Sequence, residues 1–372
     1  MNNGYPEVLL QRMLETYSPS GNEGAISSVL ADEFKKLGLS VRIDEVGNVE
    51  GRAGSGSPKC LLCGHMDTVE GFLEVKRKGK VIFGRGAVDA KAPLAALICA
   101  GARYAEEGGK GTVVVLAVVD EEGKSRGMKH FASRCNERFD YAIFGEPSGT
   151  YAVTVAYKGR LVMRVRCLTT AGHASAPQLF ENAIYVAMGI VDRLRKKEAE
   201  WAQGGDAYSN PTLCVTLMNG GKQDNTVPDC CEVVVDIRVP GSKSTSEIKK
   251  ELEDLVEGAR NNELKAKIEY EFIDENAPFQ EDPKSRLVQA FRDAIKEKSG
   301  KDCRLSRKTG TSDVNDFVSR NKTSAVVYGP GNSKLDHTPL ENVSIEEFYD
   351  SIDIIKRVME KMGRGEVNPH LQ

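Results

Sequence analysis

The stretch "GTVVVLAVVDEEG", residues 111–123, runs through seven consecutive apolar residues and then meets three acids and a glycine. A strand with one wet face would alternate apolar and polar residues, so a strand apolar at every position is covered on both faces. Similar runs flank it: "KCLLCGHMD" (59–67) before and "FDYAIFGEP" (139–147) after. Between the first two lies an apolar helix pattern, "AKAPLAALICAGARYAEEG" (90–108). Buried strands alternating with helices predict an α/β domain whose mixed, mostly parallel sheet carries helices on both faces. Two helices precede it, "YPEVLLQRMLETYS" (5–18) and "NEGAISSVLADEFKKLG" (22–38), the second with an acidic start and a glycine stop. "SVRIDEVG" (40–47) reads as a strand and "LEVKRKGKVIFG" (73–84) as a hairpin.

From about Tyr157 the pattern changes. "KGRLVMRVRCLTTA" (158–171) is a long alternating strand and "ENAIYVAMGIVDRLRKKEAEW" (181–201) a helix. Two strands, "PTLCVTLMNGG" (211–221) and "DCCEVVVDIRVP" (229–240), precede a helix, "STSEIKKELEDLVEGARNN" (244–262), and a last strand, "KAKIEYEFID" (265–274). That order, β-α-β-β-α-β, is the ferredoxin-like pattern. The chain then returns to the first style with "SRLVQAFRDAIKEKSG" (285–300), "SAVVYGPG" (324–331) and a closing helix, "IEEFYDSIDIIKRVMEKMG" (345–363). The expected organisation is a discontinuous catalytic domain, 1–157 with 276–372, interrupted by a smaller α+β domain at 158–275. The last residues, "GEVNPHLQ", read as frayed.

Bulk composition excludes several classes. With 51 basic against 54 acidic residues, no global field draws the chain to nucleic acid or an anionic membrane. The basic cluster "VKRKGK" (75–80) lies in the hairpin and reads as solvated. No apolar run approaches the ~20 residues that cross a bilayer. "MNNGYPEVLLQRMLETYS" lacks a basic n-region followed by an apolar h-region, so no signal peptide is expected. Nine cysteines, several inside apolar runs, suit a reducing cytoplasm better than a disulfide framework. Cys60 and Cys63 have zinc-knuckle spacing, but no second such pair follows. "GRGAVD" lacks the third glycine of a dinucleotide fingerprint, and "GKGTVVVL" leads into a strand where a P-loop needs a helix. There is no G-x-S-x-G elbow for a serine nucleophile.

The chemistry-bearing residues fall at strand ends, where an open α/β sheet places its sites. His65 and Asp67 end one strand, and Asp89 follows a glycine turn. Asp120, Glu121 and Glu122 end "VVVLAVV", Glu146 ends "YAIFG", and His337 follows "AVVYGPG". Carboxylates converging on one edge repel one another, so a cation must hold them together. Two histidines with several carboxylates and no paired thiolates is a nitrogen and oxygen set suited to zinc or a similar divalent ion. Five candidate ligands over-supply one ion and suit two.

Together, "GHMDTVEG", "GRGAVDAKAPLAA", "VVDEEGKSRG", "FGEPSG", "TTAGHASAP", "KTGTSDVNDF" and "DHTPLE" resemble the dinuclear-zinc aminoacylase and carboxypeptidase family, from about residue 16 to 350. That family includes acetylornithine deacetylase, succinyl-diaminopimelate desuccinylase and glutamate carboxypeptidases. "YGPGNSKLDHTPLE" and "GEPSGTYAVTVAYKGR" are most similar to members that free lysine or ornithine from an amino-group carrier protein. The resemblance implies two divalent ions, zinc or alternatively cobalt. His65 and Glu146 would hold one, Glu122 and His337 the other, with Asp89 bridging. It implies that Asp67 accepts the His65 imidazole N–H and that Glu121 is the general base. It also implies a cis peptide at Asp89–Ala90. His173 would stabilise the transition state from a partner protomer, making the enzyme a homodimer whose inserted domain serves dimerisation and as a lid. Asn225, Arg238, Gly310 and Thr311 would contact the substrate carboxylate. Ala92 departs from the family, where many members have glycine. The implied reaction is amide hydrolysis on an N-acylated amino acid, either free or borne on a small acidic carrier protein. Acetylornithine, succinyl-diaminopimelate and small peptides are alternative substrates, and a binding protein retaining the fold is the non-enzymatic alternative.

Overall fold

The strand Lys59–His65 lies at the centre of the architecture, its residues from Cys60 onward buried. In the computed structural model, which describes residues 4–259 and 266–364, it pairs in parallel with Gly111–Val118 on one side and Tyr141–Phe144 on the other. Tyr141–Phe144 pairs in parallel with Ser324–Val327, whose Val327 lies opposite Thr154 of the antiparallel strand Ala152–Tyr157. At the other edge Val49–Ser55 joins Gly111–Val118 antiparallel, and Ser40–Ile43 joins Val49–Ser55. The sheet is therefore mixed with a parallel centre. The expected terminal fraying at 365–372 lies outside the described residues, as does the end of the helix expected at 244–262.

The parallel centre fixes where chemistry sits. His65 is in register with Val118, and Cys63 with Phe144, so the carboxyl ends of these strands lie along one edge. The helix Lys91–Glu106, buried along most of its length, makes the crossover between the first two. Its proline-led start and run of alanine and leucine match a helix pressed flat onto a sheet, and Gly101 permits the approach. A Cβ on Gly101 would come within 2.9 Å of Leu62.

The chain divides into two compact units. One holds the residues up to Val155, Glu281–Ser306 and those from Ser312 onward; the other holds Ala156–Gln280 and Arg307–Thr311. The second has a core of its own, including Leu161, Val165, Ile190, Leu194, Val235, Ile237, Ile248 and Leu252. Its strands run Thr212–Gly220, Cys230–Val239, Gly159–Leu168, Lys267–Asn276 across an antiparallel sheet. The helices Ala183–Trp201 and Thr245–Glu257 complete the β-α-β-β-α-β order. The second helix begins with a capping box between Ser244 and Glu247. Among the described residues no helix is long and apolar enough to cross a membrane.

Several elements were not expected from the sequence, among them the strand Asn342–Ser344. "VEGRAGS" forms the strand Val49–Ser55, and helices occupy Arg126–Arg134 and Asp313–Arg320. Val49–Ser55 carries two glycines, which hide its pattern. Gly51 is needed there because a Cβ would lie 2.6 Å from the Phe34 ring.

Candidate metal centre

Asp89 organises the site. Its Oδ1 lies 3.2 Å from Nε2 of His65, and its Oδ2 lies 3.2 Å from Nε2 of His337. The imidazole of His337 also meets Oε1 of Glu122 at 2.8 Å, while Oε1 of Glu146 is 4.0 Å from Nε2 of His65. One carboxylate thus faces two histidines, each with a further carboxylate. Donor atoms of His65, Glu121 and Glu146 lie within 4.8 Å of one another, as do those of His65, Asp89 and Glu122. These residues come from five separate segments of one unit.

Their local conformations are specialised. Asp120, ahead of Glu121 and Glu122, has φ of 64°, and His337 has φ of 62°. Both lie in the left-handed region, where non-glycine residues are uncommon and gather at functional sites. The Asp89–Ala90 peptide is cis.

Asp67 lies where the sequence puts it, yet its contacts are divided. Its backbone carbonyl is 3.0 Å from Nδ1 of His65, closer than its carboxylate at 3.4 Å. The carboxylate instead accepts the backbone N–H groups of Glu121 at 3.1 Å and Glu122 at 3.2 Å, and the Ser20 hydroxyl at 2.7 Å. Asp67 therefore fixes the "DEE" turn as well as facing His65.

The electrostatics are those of a site built around positive charge. Burial opposes charging His65, but hydrogen bonds from its ring N–H groups to Asp67 and Asp89 outweigh it and hold the imidazole well above its usual range. Asp89 and Glu122 raise His337 to about 10. Burial, with Glu146 adding repulsion, pushes Glu121 well above the usual carboxylate range. Asp313 is likewise pushed well up by burial, and among the described residues neither of its oxygens has a hydrogen-bond partner. Two imidazole nitrogens and a surplus of carboxylate oxygens, with no thiolate among them, are the donors a pair of divalent cations requires.

Residues the sequence reading passed over hold this set in place. The Ser312 hydroxyl donates to Oε1 of Glu146 at 2.9 Å. Oε1 of Glu341 accepts the Asp89 N–H at 3.1 Å, and Oε2 pairs with Arg85 at 3.0 Å. All three lie inside motif segments, but nothing in their spacing announces contacts with partners 166 to 256 positions away.

The other expected site residues belong to the second unit. His173 is exposed, and its Nδ1 accepts the Ser175 N–H at 3.1 Å, leaving the ring proton on Nε2. The strands Gly172–His173 and Thr226–Val227 pair, and the Ala174 N–H donates to the Asn225 carbonyl at 2.9 Å, so His173 and Asn225 are neighbours. Arg238 engages Asp236 through Nε at 2.7 Å and Nη2 at 3.4 Å, and reaches the Thr311 hydroxyl from Nη1 at 3.4 Å. Its guanidinium fork is thus already engaged by a side chain two positions away on the same strand. Gly310 adjoins Thr311, and a Cβ there would meet nothing within 4 Å.

Residues 61–361 match the family model described as peptidase family M20/M25/M40, and the chain belongs to that family. It is a metal-dependent hydrolase of amide bonds. Along most of its length it is similar to the [LysW]-lysine/[LysW]-ornithine hydrolases of two organisms. For that of Sulfurisphaera tokodaii the identity is 34% over 354 residues, covering 95% of this chain and 94% of the relative. For that of Saccharolobus islandicus it is 31% over 360 residues, covering 95% of each. In fold it resembles a tripeptidase from Staphylococcus aureus, with TM-score 0.80 and 21% identity over 98% of this chain and 99% of that one. It also resembles an M20 family metallo-carboxypeptidase from Sulfolobus solfataricus, with TM-score 0.77 and 17% identity over 98% of this chain and 100% of that one.

Proposed function

We propose that this enzyme hydrolyses the amide joining lysine or ornithine to a carrier protein, in the manner named for its relatives. The observation that carries the chemistry is Asp89, whose two oxygens face two different histidines, with the buried acid Glu121 close to His65 and Glu146. His65, Glu146 and one oxygen of Asp89 would hold one cation; His337, Glu122 and the other oxygen would hold the second. Zinc fits the nitrogen and oxygen set, with cobalt as the alternative. Bound as a pair, such ions supply a Lewis acid to the scissile carbonyl and make a water acidic enough to ionise near neutrality.

Glu121 takes the proton of the attacking water on its carboxylate and passes it to the departing amine. Asp67 holds the turn that carries Glu121 and so keeps the base aimed. His173, with its proton on Nε2, is the donor to the oxyanion, contributed by a partner protomer. Arg238, Thr311, Gly310 and Asn225 form the carboxylate end of the substrate site. Residues 158–275 act as the dimerisation and lid domain, and residues 1–157 with 276–372 as the catalytic domain. Homodimerisation is supported by the outer strand Thr212–Gly220 of the second sheet, where Leu217 is 56% and Met218 41% exposed. Nine cysteines, all free, support the reading of an enzyme of the reducing cytoplasm.

Glu121 also separates an enzyme from a binding protein, which needs no base beside its cations. The deciding experiment compares release of lysine and ornithine from carrier conjugates with hydrolysis of acetylornithine and succinyl-diaminopimelate, each with and without chelator. The expected result is chelator-sensitive release that favours a carrier conjugate. Preference for a free acylated amino acid would overturn the substrate assignment, and chelator-resistant turnover would overturn the two-cation chemistry.

A further inference from the structure

Arg85 and Glu341 form a buried ion pair that contacts no reacting group, with side chains 9% and 0% exposed. A buried pair is weak evidence for stability, since desolvation offsets much of its attraction. Its neighbours define what it does here. Both oxygens of Glu341 are used: Oε1 accepts the Asp89 N–H at 3.1 Å, and Oε2 accepts the Gly86 N–H at 2.9 Å beside Arg85. The Glu341 carbonyl also accepts the Gly84 N–H at 3.3 Å. Arg85 reaches in two further directions, from Nε to the Gly71 carbonyl at 3.0 Å and from Nη1 to the Thr338 carbonyl at 3.4 Å. One ion pair therefore ties together the loop after Asp67, the turn that presents Asp89, and the segment that presents His337.

The geometry points to Arg85 and Glu341 as positioning residues that set the placement of Asp89 and thereby tune both cation sites together. Asp89 faces both histidines, so a shift of its backbone disturbs both donor sets at once. His337 is gripped from the same pair, because the carbonyl of the next residue is an Arg85 acceptor. Partners that orient ligands in this way are worth about 10- to 100-fold in metal affinity. This inference rests on the two-cation reading proposed above.

The test uses the full-length protein stripped of metal and titrated with Co2+ against a competing chelator. Glu341→Gln keeps the side chain's length but turns one accepting oxygen into a donor. It is expected to weaken both cations in parallel, by about 10- to 100-fold. Glu146→Gln alters a donor proposed for the His65 side and is expected to weaken one. Arg85→Lys retains the charge opposite Glu341 but cannot span Gly71 and Thr338. It is expected to give a smaller parallel loss, and keeps the test open should Glu341→Gln fail to fold. A merely structural role would lower the thermal midpoint of the cation-free protein and leave the affinities of the folded molecules unchanged. Wild-type affinity for both cations in a folded variant, or loss of one cation alone, would overturn the inference. Wild-type protein that binds fewer than two cations would overturn the two-cation reading together with it.

Discussion

Glu121 carries the sharpest expectation of the acids at the centre. Burial and Glu146 keep it well above an ordinary carboxylate. Glu121→Gln is isosteric and leaves Asp89, Glu122, Glu146 and both histidines intact. Turnover should fall by roughly 10²- to 10⁴-fold while two cations are retained, as read by steady-state rates beside elemental analysis. Near-normal turnover would remove Glu121 from the base role. The histidines carry a second expectation. Both are raised in the cation-free protein, His337 to about 10, so both hold a proton at neutral pH. Cations must displace those protons, so uptake should release protons and strengthen as pH rises. Titration calorimetry in buffers of different ionisation enthalpy reads that release directly; zero proton exchange near pH 7 would contradict it. At this scale the sequence disclosed the titratable groups, because strand ends are visible in an apolar pattern. It did not disclose Ser312, Arg85 or Glu341, since a side chain that grips a distant partner leaves no periodic trace.

Elements were legible where apolar pattern dominates and obscure where packing demands a rule-breaking residue. Lys59–His65 and Gly111–Val118 are continuous apolar runs, whereas Val49–Ser55 is interrupted by Gly51, present because the Phe34 ring fills the space a side chain would take. The helices of the second unit show what polar patterning adds. Glu251 accepts from Lys243 at 2.7 Å, from Trp201 at 2.8 Å and from Lys197 at 2.9 Å, tying Thr245–Glu257 to Ala183–Trp201. Although burial works against it, these partners lower its pKa from the ordinary 4.5 to about 2. A depressed carboxylate adds stability that is present above the unfolded value and lost as pH falls toward the folded one. That contribution is about 3 kcal/mol at most, and roughly 2 kcal/mol allowing for partial exposure. Glu251→Gln should therefore be less stable than wild type at pH 7, with the gap closing between pH 4.5 and 2. The single tryptophan, Trp201, bonds to Glu251, so its emission in urea titrations follows this unit. A gap that is unchanged across that range would refute the linkage.

At the scale of the whole molecule, the second unit carries several exposed large apolar side chains. Beyond Leu217 and Met218 on the outer strand, Tyr185 is 72% and Met188 51% exposed on the helix Ala183–Trp201. An open strand edge with apolar side chains invites pairing with a second copy, and a two-fold interface is self-complementary. His173 belongs to this unit while the proposed cation ligands belong to the other. If His173 serves the partner's centre, a heterodimer of a Glu121→Gln protomer and a His173→Ala protomer contains one complete site. It combines the Glu121 of the second protomer with the His173 of the first. Each variant alone should be nearly inactive. An equimolar mixture exchanged to equilibrium contains half heterodimers with one working site in two, so activity should recover to about a quarter of wild type. Recovery should follow subunit exchange in time and be blocked when exchange is prevented by cross-linking beforehand. A verified heterodimer with no more activity than its parents would confine His173 to its own protomer and remove the reason for the assembly to be catalytic.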